Sequence, residues 1–175
     1  METREPSLLR NKRVGKIRQD NIVKVLSDWG YNVRSVIIEE NEADIWVHKG
    51  KKTVALIEVL NWNKKGYLNT SRANKIIENL SVITNNRYLV CSFPENVEKY
   101  RKKFEKNEIK IICLGFQTLP KDIYEREVDP EKAKEKGIRT QSPEVLEELK
   151  VKLSPLRNIK VKKGLSLKIG LGQET

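Results

Sequence analysis

The 175 residues, 38% of them hydrophobic, are enough for one domain of ordinary size with a core that folds without disulfides. No apolar run approaches the roughly 20 residues that cross a bilayer, and the start Met1-Glu2-Thr3-Arg4-Glu5-Pro6 has no apolar segment behind its charges, so a cytoplasmic protein without a membrane partner is expected. A net charge of +11 favours a polyanionic partner, above all nucleic acid, because neutralising phosphates releases counterions; the plain alternative is a basic surface that serves solubility.

Between Val14 and Trp29 the apolar residues Ile22, Val25, Leu26 and Trp29 recur at the i, i+3, i+4, i+7 spacing of a helix, and Gly30 supplies its C-terminal stop. Arg4, Arg10, Lys12, Arg13, Lys16 and Arg18 crowd this end of the chain against Glu2 and Glu5. Arg10, Lys12, Arg13, Lys16 and Arg18 are therefore candidate phosphate contacts, although a solvated basic terminus has the same composition. Three strands follow: Tyr31–Ile38, rich in β-branched residues, Asp44–His48, and the nearly continuous apolar run Thr53–Leu60. The short turn Lys49-Gly50-Lys51-Lys52 makes the second and third strands antiparallel neighbours.

Asn69-Thr70-Ser71 offers cap residues for a helix over Ser71–Ile83, with Ala73, Ile76, Ile77 and Leu80 on its apolar stripe. Arg87–Phe93 reads as a fourth strand, and the helix before it implies a right-handed crossover and parallel pairing with the third. Pro94 opens a charged helix to Glu105, and Ile109–Leu114 is a fifth strand, giving the order αβββαβαβ. Beyond Gly115, Pro120, Pro130 and Pro143 interrupt a highly charged stretch, Pro143–Lys150 reads as a short helix, and residues 156–172 as a hairpin or basic arm. The expected division is a core domain of residues 1–119 and a charged extension or small subdomain of residues 120–175.

Two carboxylates stand out. Asp44 in Glu-Ala-Asp-Ile-Trp-Val and Glu58 in Val-Ala-Leu-Ile-Glu-Val-Leu interrupt apolar strands, and an isolated buried charge costs several kcal/mol unless paired, protonated or bound to metal. The hairpin carries both toward one end of a sheet, where two hard oxygen donors suit Mg²⁺ or Mn²⁺. The plain reading makes Asp44 a strand-start residue after Glu39, Glu40 and Glu42; Glu58, inside its strand, is harder to explain that way. His48 reads as a strand-end surface residue, and Trp46 and Trp62 as core or lip residues rather than base-stacking platforms. Cys91 and Cys113 read as small core residues rather than a disulfide or metal pair.

A leading helix, a three-strand meander with Asp opening the second strand and Glu late in the third, then a helix and a parallel strand, resembles the PD-(D/E)XK nuclease superfamily. The compact basic layout is similar to archaeal Holliday junction resolvases. The resemblance covers residues 12–114 and rests on topology and two residues. It implies a restriction-endonuclease-like α/β fold, an αβββαβ core whose mixed sheet is flanked by helices, with a C-terminal appendage. It also implies that Asp44, preceded by Ala43 in place of proline, and Glu58 bind the divalent cation.

Leu60 stands where the motif has lysine, and Gln19, following Gly15, stands where the family's first-helix glutamate falls. An aliphatic side chain neither orients water nor stabilises a developing phosphorane charge, so another cation has to reach the site. Lys64 and Arg72 are preferred to Lys75, because Arg72 lies about 40° from the apolar stripe of its helix and Lys75 points nearly opposite to it. Lys64 and Lys65, just past the third strand, add to the phosphate-facing charge. The implied activity is Mg²⁺- or Mn²⁺-dependent endonucleolytic hydrolysis of DNA, and relatives that cut two strands pair as homodimers. The alternative, favoured by Leu60 and Gln19, is a catalytically degenerate nuclease fold serving as a nucleic-acid-binding or assembly module.

Overall fold

The amphipathic stretch after the basic start forms α1, Ser7–Asp28, which begins earlier than its apolar spacing predicts. Gly30 ends it at φ +94°, and the amides of Gly30 and Tyr31 close on the carbonyls of Ser27 and Leu26, a Schellman arrangement that needs a residue tolerant of positive φ. A computed structural model describes residues 7–36, 41–62, 65–117, 138–139 and 143–159, with side chains at 16–36, 41–62, 65–115 and 146–159.

The chain continues through β1 (Asn32–Ser35), β2 (Ile45–Lys49), β3 (Lys52–Val59), α2 (Thr70–Leu80), β4 (Arg87–Cys91), α3 (Arg101–Lys106) and β5 (Ile109–Cys113). The result is an α/β protein with a five-stranded mixed sheet in the order β1-β2-β3-β4-β5, antiparallel through β3 and parallel from β3 to β5. The predicted succession of strands and helices holds through β5, with β2 and β3 each displaced by one residue toward their turn, β4 and β5 ending two and one residues early, α2 ending at Leu80 rather than Ile83, and β1 shorter than Tyr31–Ile38. Ile37 and Ile38 lie outside the described residues.

Alternation along β3 divides the core. Ala55 and Ile57 pack with Ile22, Val25 and Leu26 of α1, whereas Leu56 and Leu60 pack with Ala73, Ile76 and Leu80 of α2. The Asn69 side chain caps α2 by accepting the Arg72 amide at 2.7 Å, which sets the helical register of Arg72.

The predicted helix from Pro94 to Glu105 is corrected to two 3₁₀ turns, Pro94–Asn96 and Glu98–Tyr100, followed by the short α3. Asn96 is the reason. Its side chain accepts the Phe93 amide and donates to the Gly66 carbonyl, and its own carbonyl accepts the Leu68 amide, so its groups serve the loop before α2 instead of a helical ladder.

Past β5, β6 (Phe116–Gln117) pairs in parallel with β7 (Ile138–Arg139), and α4 (Pro143–Lys152) follows. Leu149, Leu153, Leu156 and Ile159 enter the same cluster as Ile22, Val25 and Leu26. The Tyr31 hydroxyl donates to the Leu156 carbonyl at 2.6 Å and accepts the Ile159 amide at 3.0 Å. Within the expected extension of residues 120–175, residues 149–159 thus pack into the α1-side core. Residues 160–175, which hold most of the predicted hairpin or arm, lie outside the described residues. Among the described residues no helix is long and apolar enough to cross a membrane.

Two substitutions check this joint. Leu153→Ala is expected to cost about 3 kcal/mol in denaturant unfolding, as for a core leucine. Tyr31→Phe, which orphans a buried carbonyl and a buried amide, is expected to cost about 2 kcal/mol; no change in either variant would show the C-terminal segment to be a separate unit.

Candidate active site

The register between β2 and β3 decides which side chains share a face. At the turn, Lys49 pairs with Lys52 and His48 with Thr53; continued without interruption, this register sets Asp44 opposite Ile57. A bulge between Val47 and His48 shifts the pairing, so that Val47 faces Ala55 and Ile45 faces Ile57. One step further along the ladder, Asp44 stands opposite Glu58. Directly opposed residues of antiparallel strands point to the same face with Cβ atoms about 5 Å apart, so the two carboxyls converge on the α2 side.

Asp44 is held from three directions. Its main-chain carbonyl accepts the Val36 amide at 2.7 Å and Gln19 Nε2 at 3.0 Å, and its Oδ2 accepts the Val59 amide at 2.8 Å. Gln19 Nε2 also reaches the Ser35 hydroxyl and the Val36 carbonyl, so the amide at the expected glutamate position braces the main chain beneath Asp44. Glu58 is 2% exposed, and its Oε1 accepts Asn79 Nδ2 of α2 at 3.3 Å.

Burial, then the adjacent Asp44 charge and a hydrogen bond donated to it, push the Glu58 carboxyl up to about 9. Asp44 is also raised, first by burial, while the Val59 amide, the Glu58 hydrogen bond and Arg72 oppose the rise. Glu58 thus keeps its proton at neutral pH and directs it toward Asp44. The Arg72 guanidinium acts on both carboxyls and favours their charged forms, which makes it the cation that the α2 stripe brings to the pair.

The structure brings together Asp44, Glu58 and Arg72. Leu60 is buried with Leu68, Ala73 and Ile76, so the position after Glu58 that the motif gives to lysine belongs here to the core. Lys16 on α1 and Lys65 on the loop before α2 are exposed. Arg18 corrects the predicted basic surface: it is 2% exposed, and its Nη2 donates to the carbonyls of Leu114 and Gly115 at 3.1 and 2.9 Å, bracing the segment after β5 instead of facing a phosphate. The side chains of Arg10, Lys12 and Arg13, and all of Lys64, Glu39 and Glu40, lie outside the described residues. His48 Nδ1 contacts the Thr53 hydroxyl at the turn end of the hairpin, away from the pair. Trp46 and Trp62 pack partly buried against the α2-side cluster, with the Arg34 guanidinium 4.6 Å from the Trp46 ring centroid.

Asn79 is the site residue that the sequence reading missed. Its signal was a carboxamide within the apolar stripe of α2, three residues past Ile76 and seven past Arg72, a spacing that puts all three on one side of the helix.

Two adjoining carboxylates suit an octahedral ion that binds through one or two carboxylates, keeps several waters and takes further oxygens from a phosphate. A cage built from the protein alone is not offered, since among the described residues no group of three or more His, Cys, Asp or Glu could hold a metal ion. Comparison of the chain with family models, with curated proteins and with solved structures gives no match in any of the three.

The shared proton fixes a pH dependence. Because the folded Glu58 value of about 9 lies above its ordinary 4.5, folded protein keeps a proton that unfolded chain has released, and stability falls as pH rises between those values. Glu58→Gln retains a donor toward Asp44 without ionising. It is expected to raise stability by on the order of 3 kcal/mol at pH 7 and to flatten the profile across this window in urea unfolding; a variant less stable than wild type at pH 8 would contradict the shared proton.

Proposed function

We propose that the protein is a divalent-metal-dependent nuclease of the restriction-endonuclease-like, PD-(D/E)XK type, hydrolysing phosphodiesters in DNA. The observation that carries this reading is the convergence of Asp44 and Glu58 on one face beside Arg72. Asp44 and Glu58 are the residues that hold the ion, and Asn79 orients Glu58 for it. When bound, Mg²⁺ or Mn²⁺ supplies Lewis-acid polarisation of the scissile phosphate and lowers the pKa of water.

The chain's own groups supply the rest. Arg72 stands in for the absent lysine: a guanidinium presents its donors in a fork that matches phosphate oxygens and stabilises charge developing there. The Val59 amide and the brace from Gln19 keep Asp44 in place as charge at the site changes. Exposed Lys16 and Lys65, within a chain of net charge +11, favour the DNA backbone.

A second reading, a nuclease fold kept for nucleic-acid binding or assembly, is favoured by the burial of Leu60 and by the structural hydrogen bonds of Gln19. Cleavage assays on duplex, single-stranded and branched DNA with Mg²⁺ or Mn²⁺ separate the two. The nuclease reading expects metal-dependent cleavage that falls about a thousandfold in Asp44→Asn and Glu58→Gln, because losing the Lewis acid forfeits several kcal/mol. In Arg72→Ala it expects a fall of about a hundredfold, with partial recovery in Arg72→Lys. Salt-sensitive DNA binding that neither needs metal nor changes in these variants, without cleavage, would select the binding module.

A further inference from the structure

The C-terminal ends of the two parallel strands β4 and β5 each carry a cysteine, and the two are partners in the register: Cys91 stands directly beside Cys113. Their sulfurs are 3.6 Å apart, and both are free thiols. Neighbouring strands lie about 4.8 Å apart, within the span of about 4.4–6.8 Å that Cα atoms bridged by a disulfide occupy. The backbone spacing at this pair therefore falls within the range that a disulfide spans. Cys91 is buried, whereas Cys113 is partly accessible on the side of the sheet that also holds Tyr100 and Phe104.

From this juxtaposition we propose that Cys91 and Cys113 are a hydroperoxide-responsive pair that closes reversibly into a cross-strand disulfide. Cys113 is the attacking thiol. Cys91 has a single S–H, with both the Phe93 carbonyl and the Cys113 sulfur 3.6 Å away; turned toward Cys113 it is the donor, and this hydrogen bond, helped by the positive charges of Arg101 and Lys152 and opposed by burial and Glu95, brings the Cys113 thiol down to about 7, so a large fraction is thiolate at neutral pH. Cys91, held as the donor and buried, is pushed up and stays a thiol until it is needed.

The Cys113 thiolate attacks one oxygen of the hydroperoxide: an S–O bond forms, the O–O bond breaks, and the leaving oxygen takes a proton from solvent and departs as water from hydrogen peroxide or as the alcohol from an organic hydroperoxide. The Cys91 sulfur then attacks the Cys113 sulfenic sulfur. The S–S bond forms, the S–O bond breaks, and the Cys91 proton leaves with the departing hydroxide as water. For hydrogen peroxide the balance is two thiols and one peroxide giving one disulfide and two waters, the two electrons lost by sulfur reducing the O–O bond.

Position gives the cross-link a consequence. The Val90 carbonyl, one residue before Cys91, accepts the Leu60 amide at 2.7 Å, so the strand end that would be locked adjoins the end of β3 that bears Glu58. The proposal stands independently of the nuclease reading, because its readout is the state of two sulfurs.

The test is to expose the full chain to hydrogen peroxide at pH 7 and measure its mass without reduction, before and after dithiothreitol. Wild type is expected to lose two hydrogens within one chain and to regain them on reduction. Cys91→Ser is expected to stop at a dimedone-trapped sulfenic acid on Cys113. Cys113→Ser is expected to react at least about tenfold more slowly than Cys91→Ser, in line with its smaller thiolate fraction. Two thiols still free in wild type after a free cysteine standard has oxidised, or equal rates in the two single variants with circular dichroism unchanged, would overturn it.

Discussion

The pairing of β2 with β3 carries a one-residue bulge, and every chemical property of the site follows from it. A regular hairpin closed by the same turn sets Asp44 opposite Ile57; the shift between Val47 and His48 sets it opposite Glu58 instead. Two carboxyls then share one buried face, and the charge on each bears on the other. The surroundings hold that arrangement firmly. Asp44 is fixed through its main chain by Val36 and Gln19 and through its carboxylate by Val59, and Glu58 by Asn79 across from α2.

The energetic meaning lies in the Glu58 value of about 9. Ionising this carboxyl in the folded protein is harder than in water by on the order of 6 kcal/mol. A proton relieves the repulsion in the metal-free protein. On the proposed reading a divalent cation would relieve it with twice the charge, and at pH 7 it would have only the remaining gap to about 9 to overcome, on the order of 3 kcal/mol. Arg72 acts in the same sense as either particle, its positive charge favouring the ionised forms of both carboxyls.

Much of the architecture was legible in local patterns. The apolar spacing from Ile22 to Trp29 with Gly30 behind it, the Lys49–Lys52 turn and the Asn69 cap each reflect short-range physics, and each appears where the sequence places it. What escaped was set by tertiary contacts. The bulge depends on how β3 packs between two layers, which a turn motif does not encode. Arg18 looked like one more member of a basic run, and only its position one turn before Ile22 on the inward side of α1 sends it to the Leu114 and Gly115 carbonyls. Asn96 ended a helix because of partners some thirty residues away, at Gly66 and Leu68. The spacing of Leu149, Leu153 and Leu156 was a helical stripe obscured by the charges around it. Cys91 is the buried core residue that its apolar run implies, whereas Cys113 is only partly buried, and their adjacency needed the parallel register of β4 and β5.

The most direct test is a calorimetric titration of the protein with Mn²⁺ at pH 7, repeated in two buffers of different ionisation enthalpy so that released protons are counted. Binding should displace about one proton per ion, strengthen by up to about tenfold per pH unit below pH 9, and vanish in Glu58→Gln. Binding without proton release, or unchanged binding in the variant, would mean that Asp44 and Glu58 do not share the charge their convergence requires.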